Sequence, residues 1–127
     1  MREEIRAPGQ AEPISHYTDA VRAGDLLFLS GIVPVDAAGS LVGGDDVVEQ
    51  ARHVFRNMAE VLAAAAAGPQ DVVKVTVFLT DVDDRARINP VRQEFFGAAR
   101  PASTLVEVAR LAVPGARIEV EAVALIP

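Results

Sequence analysis

The stretch "RPASTLVEVARL", residues 100–111, sets a hydroxyl, Ser103, and a carboxylate, Glu107, into a run of apolar and β-branched residues. What chemistry such groups can do is narrowed by what the chain lacks. There is no cysteine, which removes disulfides, thiol catalysis and thiolate metal sites. The two histidines, His16 and His53, lie far apart in the sequence and form no HExxH pair, so no metal site is expected. Neither a GxGxxG turn nor a phosphate-binding loop is present, and "LSGI" at 29–32 is not a GxSxG nucleophile elbow. Chemistry in this chain must use carboxylates, hydroxyls, backbone groups and water.

The elements that would hold those groups follow from periodicity. From Asp46 to Ala67, residues Val47, Ala51, Val54, Met58, Val61, Leu62 and Ala65 share a helical face. Asp46 and Glu49 are spaced as a capping box, and Gly68–Pro69 is placed to stop the helix. A second helix is expected over "INPVRQEFFGAA", capped by Asn89, with Pro90 in its first turn and Val91, Phe95 and Ala98 as its apolar face. Strands are expected at 72–80, at Ala102–Ala109 and at Arg117–Leu125, and "TDAVRAGDLLFLSG" reads as a hairpin turning at Ala23–Asp25. The glycine-rich segment "PVDAAGSLVGGDD" reads as a mobile loop.

The resulting order, β-β-α-β-α-β-β, predicts an α+β sheet with two helices on one face. In the last strand Ile118, Val120, Ala122 and Ala124 should meet the helices, leaving Arg117, Glu119, Glu121, Val123 and Leu125 on the other side. In 72–80, Val73, Val75, Val77 and Leu79 form one face, against Val72 and Phe78. In the strand after Pro101, Thr104, Val106 and Val108 oppose Ser103, Leu105, Glu107 and Ala109. The second face is too apolar to remain wet, which predicts a homo-oligomer with its sheets packed together.

The 127 residues suffice for one domain, 1–127. Half are hydrophobic and 24% charged, as in folded globular proteins. There is no apolar run of about 18 residues. The N-terminal "MREEIRAPGQ" lacks the apolar core of a signal peptide, so a cytoplasmic location is expected. The net charge is −6, the arginines are scattered, and there is one tyrosine and no tryptophan. Neither nucleic acid nor an anionic membrane is an expected partner of such a surface.

Several pieces occur together and in order: "SHYTDAVRAGDLLFLSGIVPVD", "QARHVFRNMAEVLAAAAAG", "DVVKVTVFLTDVDDRARIN", "FF", "RPASTLVEVARL" and "IEVEAVA". With SG-x-x-P, an asparagine before FF, P-A-x-x-x-V-E-V and I-E-x-E-A, the chain resembles the Rid (RidA/YjgF) family of reactive imine/enamine deaminases over nearly its full length. The resemblance implies a chorismate-mutase-like α+β fold and a homotrimer whose sheets form a central barrel with three intersubunit clefts. It also implies cofactor-free hydrolysis of 2-imino acids, released by pyridoxal-phosphate dehydratases, to 2-keto acids and ammonia.

Residue by residue, the resemblance makes Glu119 the group that holds or activates water, a role suited to a carboxylate in a partly dry cleft. It makes Tyr17 a cleft tyrosine, Ser30 and Gly31 the cleft wall, and Asn89 a cleft residue. The backbone of Ser103, Thr104 and Leu105 would orient substrate, Leu105 replacing a residue often small or cysteine. Other readings stand beside these. Glu119 could pair with Arg117 or Arg110, Tyr17 could pack at a subunit edge, Gly31 could serve a turn, and Asn89 could be only a cap. Glu107 reads as structural.

Ser103 departs from the pattern, because deaminating members carry an arginine there that grips the substrate carboxylate. Exchanging a charged, two-bonded fork for one neutral hydroxyl weakens carboxylate binding by roughly 2–4 kcal/mol. Arg100 is not an obvious replacement, since its strand parity differs from that of Ser103. The expected function is hydrolysis of a small imine or enamine metabolite to a carbonyl compound and ammonia, with a substrate other than a standard 2-imino acid. The alternative is a non-catalytic trimer that binds a small metabolite or stabilises a partner enzyme. The ribonuclease label sometimes attached to the family finds little support in the acidic charge.

Overall fold

The computed structural model describes residues 1–127. Six strands form one mixed sheet: β1 (Arg2–Ile5), β2 (Ala20–Ala23), β3 (Leu26–Ile32), β4 (Val72–Leu79), β5 (Ala102–Glu107) and β6 (Ile118–Leu125). The helices are α1 (Val47–Ala64) and α2 (Arg85–Phe96). The spatial order is β1-β2-β3-β6-β4-β5; β4 and β5 are parallel and every other pair antiparallel. The α+β architecture with two helices is the one expected. The sequence reading lacks β1, whose "REEI" is almost wholly exposed and has no apolar alternation to reveal it.

Alternation works as expected in β6: Ile118, Val120, Ala122 and Ala124 are buried. Joined by Leu27, Leu29, Val75, Val77 and Leu79, they form the floor on which α1 packs Val47, Val54, Met58, Val61 and Leu62. Phe55 of α1 meets Phe95 and Phe96 of α2, at centroid distances of 4.9 and 5.8 Å. In β4 the expectation fails at one end. Val72 is buried and Val73 is 40% exposed, because an irregularity between Val72 and Lys74 shifts the pairing with β6 and exchanges their faces.

Helix boundaries differ from the sequence reading in three places. Asp46 caps α1 as expected, accepting from the backbone N–H of Val48 and Glu49, but Glu49 pairs with Arg52 rather than closing the box. The helix stops before Gly68–Pro69. Ala66 turns left-handed at φ 58, Ala67 N–H donates to Leu62 C=O and Ala66 N–H to Ala63 C=O, a Schellman closure. The second helix starts at Arg85, not near Asn89, after a short 3₁₀ turn at Val82–Asp84. Asn89 is therefore not a cap, Pro90 lies inside the helix, and Ala98 falls beyond the end at Gly97.

The glycine-rich segment is bound down rather than loose. Asp36 accepts from the N–H groups of Ala38 and Ser40, and Val35 bridges Leu41. Gln50, fully buried, donates to Gly44 and Gly115 carbonyls and accepts from Arg117 N–H, joining this loop to the start of β6.

Alanine in the left-handed region costs about 1–2 kcal/mol relative to glycine. Ala66→Gly is therefore expected to stabilise the protein by about 1 kcal/mol and raise Tm by a few degrees. Thermal unfolding followed by circular dichroism measures this; an unchanged or lower Tm contradicts the Schellman closure.

Candidate active site

Glu119 lies on β6 opposite Phe78, on the sheet face away from the helices. Its carboxylate folds over Gly31 of β3. A methyl group at position 31 would overlap the carboxyl, with the Glu119 Cδ only 2.9 Å away. Gly31 thus makes room for the acid, and it lies within a strand rather than serving the turn that the sequence allowed. An irregularity between Leu29 and Ile32 shifts the β3–β6 register here.

Neither Arg117 nor Arg110 pairs with Glu119. Arg117 is drawn instead to Asp84, only 3% exposed, at 2.7 Å, and to the Asp45 carbonyl at 2.7 Å. Glu119 therefore has no hydrogen-bonded or ionic partner within the chain. Burial pushes its carboxyl above the usual carboxylate range, and the charge of Glu121 adds to this.

Tyr17, Ser30, Gly31, Val113 and Glu119 line a pocket of about 310 Å³. The segment carrying Tyr17 is fixed at both sides. Thr18 Oγ1 donates to the Ile5 carbonyl at 3.1 Å, Ser30 Oγ donates to the Thr18 carbonyl at 2.6 Å, and the Asp19 carboxylate accepts from Arg6 at 2.7 Å and Ala7 N–H at 2.9 Å. The phenol oxygen accepts a bond from Ile14 N–H at 3.4 Å, and the side chain is 48% exposed.

The remaining expected site residues are elsewhere. Ser103 lies level with Val75 and Leu105 with Val77, on the helix side of β5, and Leu105 packs against the core. Thr104 faces the opposite side and accepts from Lys74 Nζ at 2.7 Å. Asn89 is exposed on α2, its side chain bonded to nothing in the chain. Glu107 is structural, as read: it accepts from Val82 N–H at 3.0 Å. His53 bonds the Val35 carbonyl at 3.0 Å, and no group of three or more His, Asp or Glu side chains is placed to hold a metal ion.

One residue at this second position was not foreseen. Arg92, a turn beyond Asn89 on α2, donates from Nη2 to Ser103 Oγ at 2.7 Å. Burial pulls its guanidinium below the usual arginine value. Nothing in the sequence pairs positions 92 and 103; only the packing of α2 against the sheet does so. Arg100, by contrast, is exposed and precedes the strand.

One chain thus carries two separate polar groupings. Tyr17, Ser30, Gly31 and Glu119 form an acid-bearing pocket, and Asn89, Arg92 and Ser103 form a donor-rich patch beside the edge strand β5. Glu119 and Ser103 belong to opposite faces of the sheet.

A small α+β protein with an unpaired acid in a half-open pocket, and no side-chain cluster for a metal, is the class these features define. Residues 7–126 match the family described as Endoribonuclease L-PSP. The chain is 42% identical to the RutC family protein PH0854 of Pyrococcus horikoshii, covering 98% of each. It is 38% identical to a human protein named 2-iminobutanoate/2-iminopropanoate deaminase, covering 94% of this chain and 85% of the human one. The crystal structure of RidA from the Antarctic bacterium Psychrobacter sp. PAMC 21119 superposes with a TM-score of 0.91 at 31% identity, over 98% of this chain and 99% of that one. This chain belongs to the Rid (RidA/YjgF/RutC) family. No helix in it is long and apolar enough to cross a membrane.

The raised Glu119 carboxyl sets a sign for stability. A group whose pKa is higher in the folded state favours folding below its unfolded value, and that advantage is lost as pH rises through the folded value. Glu119→Gln is therefore expected to raise Tm relative to wild type at pH 8, with the difference shrinking as pH falls to about 4. Thermal melts of both proteins at the two pH values test this; a gap independent of pH would contradict it.

Proposed function

We propose that this Rid-family protein is a homotrimer that hydrolyses a small imine or enamine to a carbonyl compound and ammonia in a cleft between subunits. The observation that carries the reading is the unpaired, partly desolvated Glu119 carboxylate in a pocket with the Tyr17 hydroxyl. The family relationship supports the reaction class, since the human relative is named for imine deamination.

The trimer has two supports. The sheet face away from the helices is bare, with Phe28 45%, Val106 39% and Leu125 48% exposed, more apolar surface than a lone subunit leaves wet. Glu119 and Ser103 also face opposite sides of one sheet, so a cleft using both takes one from each of two subunits.

In the reaction, Glu119 accepts a proton from water as the water oxygen bonds to the C=N carbon. The C=N π pair moves to nitrogen, which is protonated, giving a carbinolamine. The hydroxyl then loses its proton, C=O forms, and the C–N bond breaks with its electron pair leaving on nitrogen as ammonia. The sum is imine plus water to carbonyl plus ammonia. A carboxyl raised toward neutrality is a stronger base than an ordinary one and suits both proton transfers. The Tyr17 hydroxyl orients the substrate.

Ammonia release from 2-iminobutanoate generated in situ tests the reading. Wild type is expected to turn over, and Glu119→Gln to lower kcat by about 10²- to 10⁴-fold with ligand affinity kept. Absence of turnover in both forms would overturn it and favour the alternative reading, a binding protein, which the serine at 103 supports.

A further inference from the structure

The hydrolytic step above makes no use of Arg92, yet the setting of this residue is unusual in the chain. Arg2, Arg6, Arg52, Arg87 and Arg117 each reach a carboxylate. Of those that do not, Arg56, Arg85, Arg100 and Arg110 are fully exposed, and Arg22 is satisfied by the Gly24 carbonyl. Arg92 alone is partly buried and without a carboxylate, and its one acceptor is a neutral serine hydroxyl.

A guanidinium has five N–H donors in a planar fork. Arg92 spends one, on Ser103, and the rest have no acceptor in the chain. The bond also sets Ser103: with its oxygen accepting from Arg92, the hydroxyl proton is free to donate outward. Asn89, one turn earlier on α2, adds an exposed amide without a partner, and β5 pairs only with β4, so its other edge is open. The groups gathered here are donors, one is cationic, and no carboxylate of the chain neutralises them. In a protein of net charge −6, such a spot selects anions.

We infer that Arg92, held by Ser103 at the open edge of β5, is the residue that grips a carboxylate of the substrate, so that the imine hydrolysed is that of a small organic acid. The inference deepens the imine-hydrolase reading and rests on it for the word substrate. It reverses the expectation drawn from Ser103 alone: position 103 has lost its own cation, and the facing helix supplies another.

The probe is 2-oxobutanoate, compared with its uncharged amide, titrated calorimetrically into wild type, Arg92→Met, Arg92→Lys and Ser103→Ala. Wild type is expected to bind the acid more tightly than the amide. Arg92→Met should weaken the acid by about 10- to 100-fold and leave the amide unchanged. Arg92→Lys should fall between, since the charge remains and the fork is lost, and Ser103→Ala should lose less than Arg92→Met. In turnover of 2-iminobutanoate, Arg92→Met should raise KM by a similar factor while kcat changes little.

Equal acid binding by wild type and Arg92→Met would overturn the inference. If Arg92→Met fails to assemble, Arg92→Lys decides, and undiminished binding by it would overturn the inference as well. Glu119-dependent turnover with a KM indifferent to Arg92 would overturn the anion site and leave the hydrolase reading standing. Arg92-dependent acid binding without ammonia release from wild type would uphold the anion site and overturn only the hydrolase reading.

Discussion

Two helices can cover only one side of a six-stranded sheet, and the rest of this molecule follows from which side they cover. The helix-side floor, from Leu27 and Leu29 through Val120 and Ala122 to Val75 and Val77, carries nearly all the burial that holds the fold. Strand geometry then assigns every other residue by parity, because neighbours along a strand point to opposite faces. Burying Ile118 and Val120 sends Glu119 to the bare face, and aligning Ser103 with buried Val75 sends it to the helix side. The separation of the two polar groupings is thus a by-product of core packing.

Electrostatics works against a background of local neutralisation. Asp84 is buried but answered by Arg87 and Arg117, and Asp19 by Arg6. Two partly buried charges of opposite sign, Glu119 and Arg92, have no such answer within the chain. Each carries a desolvation cost that a purely structural residue would avoid by pairing. A single subunit cannot bring them together, since β6 and β5 are separated by β4 and the two charges stand on opposite faces. An assembly that places one subunit's β5 edge against its neighbour's Glu119 pocket gives both a common ligand.

Rigidity at the acid-bearing pocket comes from backbone bonding rather than from bulk. Tyr17 sits on a segment tied through Thr18, Asp19 and Ser30 to the first three strands. Gln50 and the buried amide of Asn57, which donates to the Val35 carbonyl at 3.0 Å, fasten the glycine-rich segment to α1. The pocket therefore has a wall that needs no large side chain, which leaves room for a ligand.

The sequence by itself determined the elements whose signal is local. Periodicity found α1, β4 and β6, the cap at Asp46 and the hairpin at Ala23–Asp25, because burial alternates visibly in those segments. The motifs around Ser30–Gly31, Pro101 and Glu119 were specific enough to identify the family. Where the signal was weak or two local explanations competed, the reading missed. Exposed β1 has no alternation, the Val72–Lys74 irregularity breaks a period, and Asn89–Pro90 imitates a helix start while Asp84 is the true one. Tertiary structure alone decided that Arg117 goes to Asp84 and leaves Glu119 unpaired, that Gly31 exists to admit a carboxylate, and that Arg92 reaches Ser103. Each of these depends on which groups distant in sequence compete for the same partner, and that competition is settled only when the helices dock on the sheet.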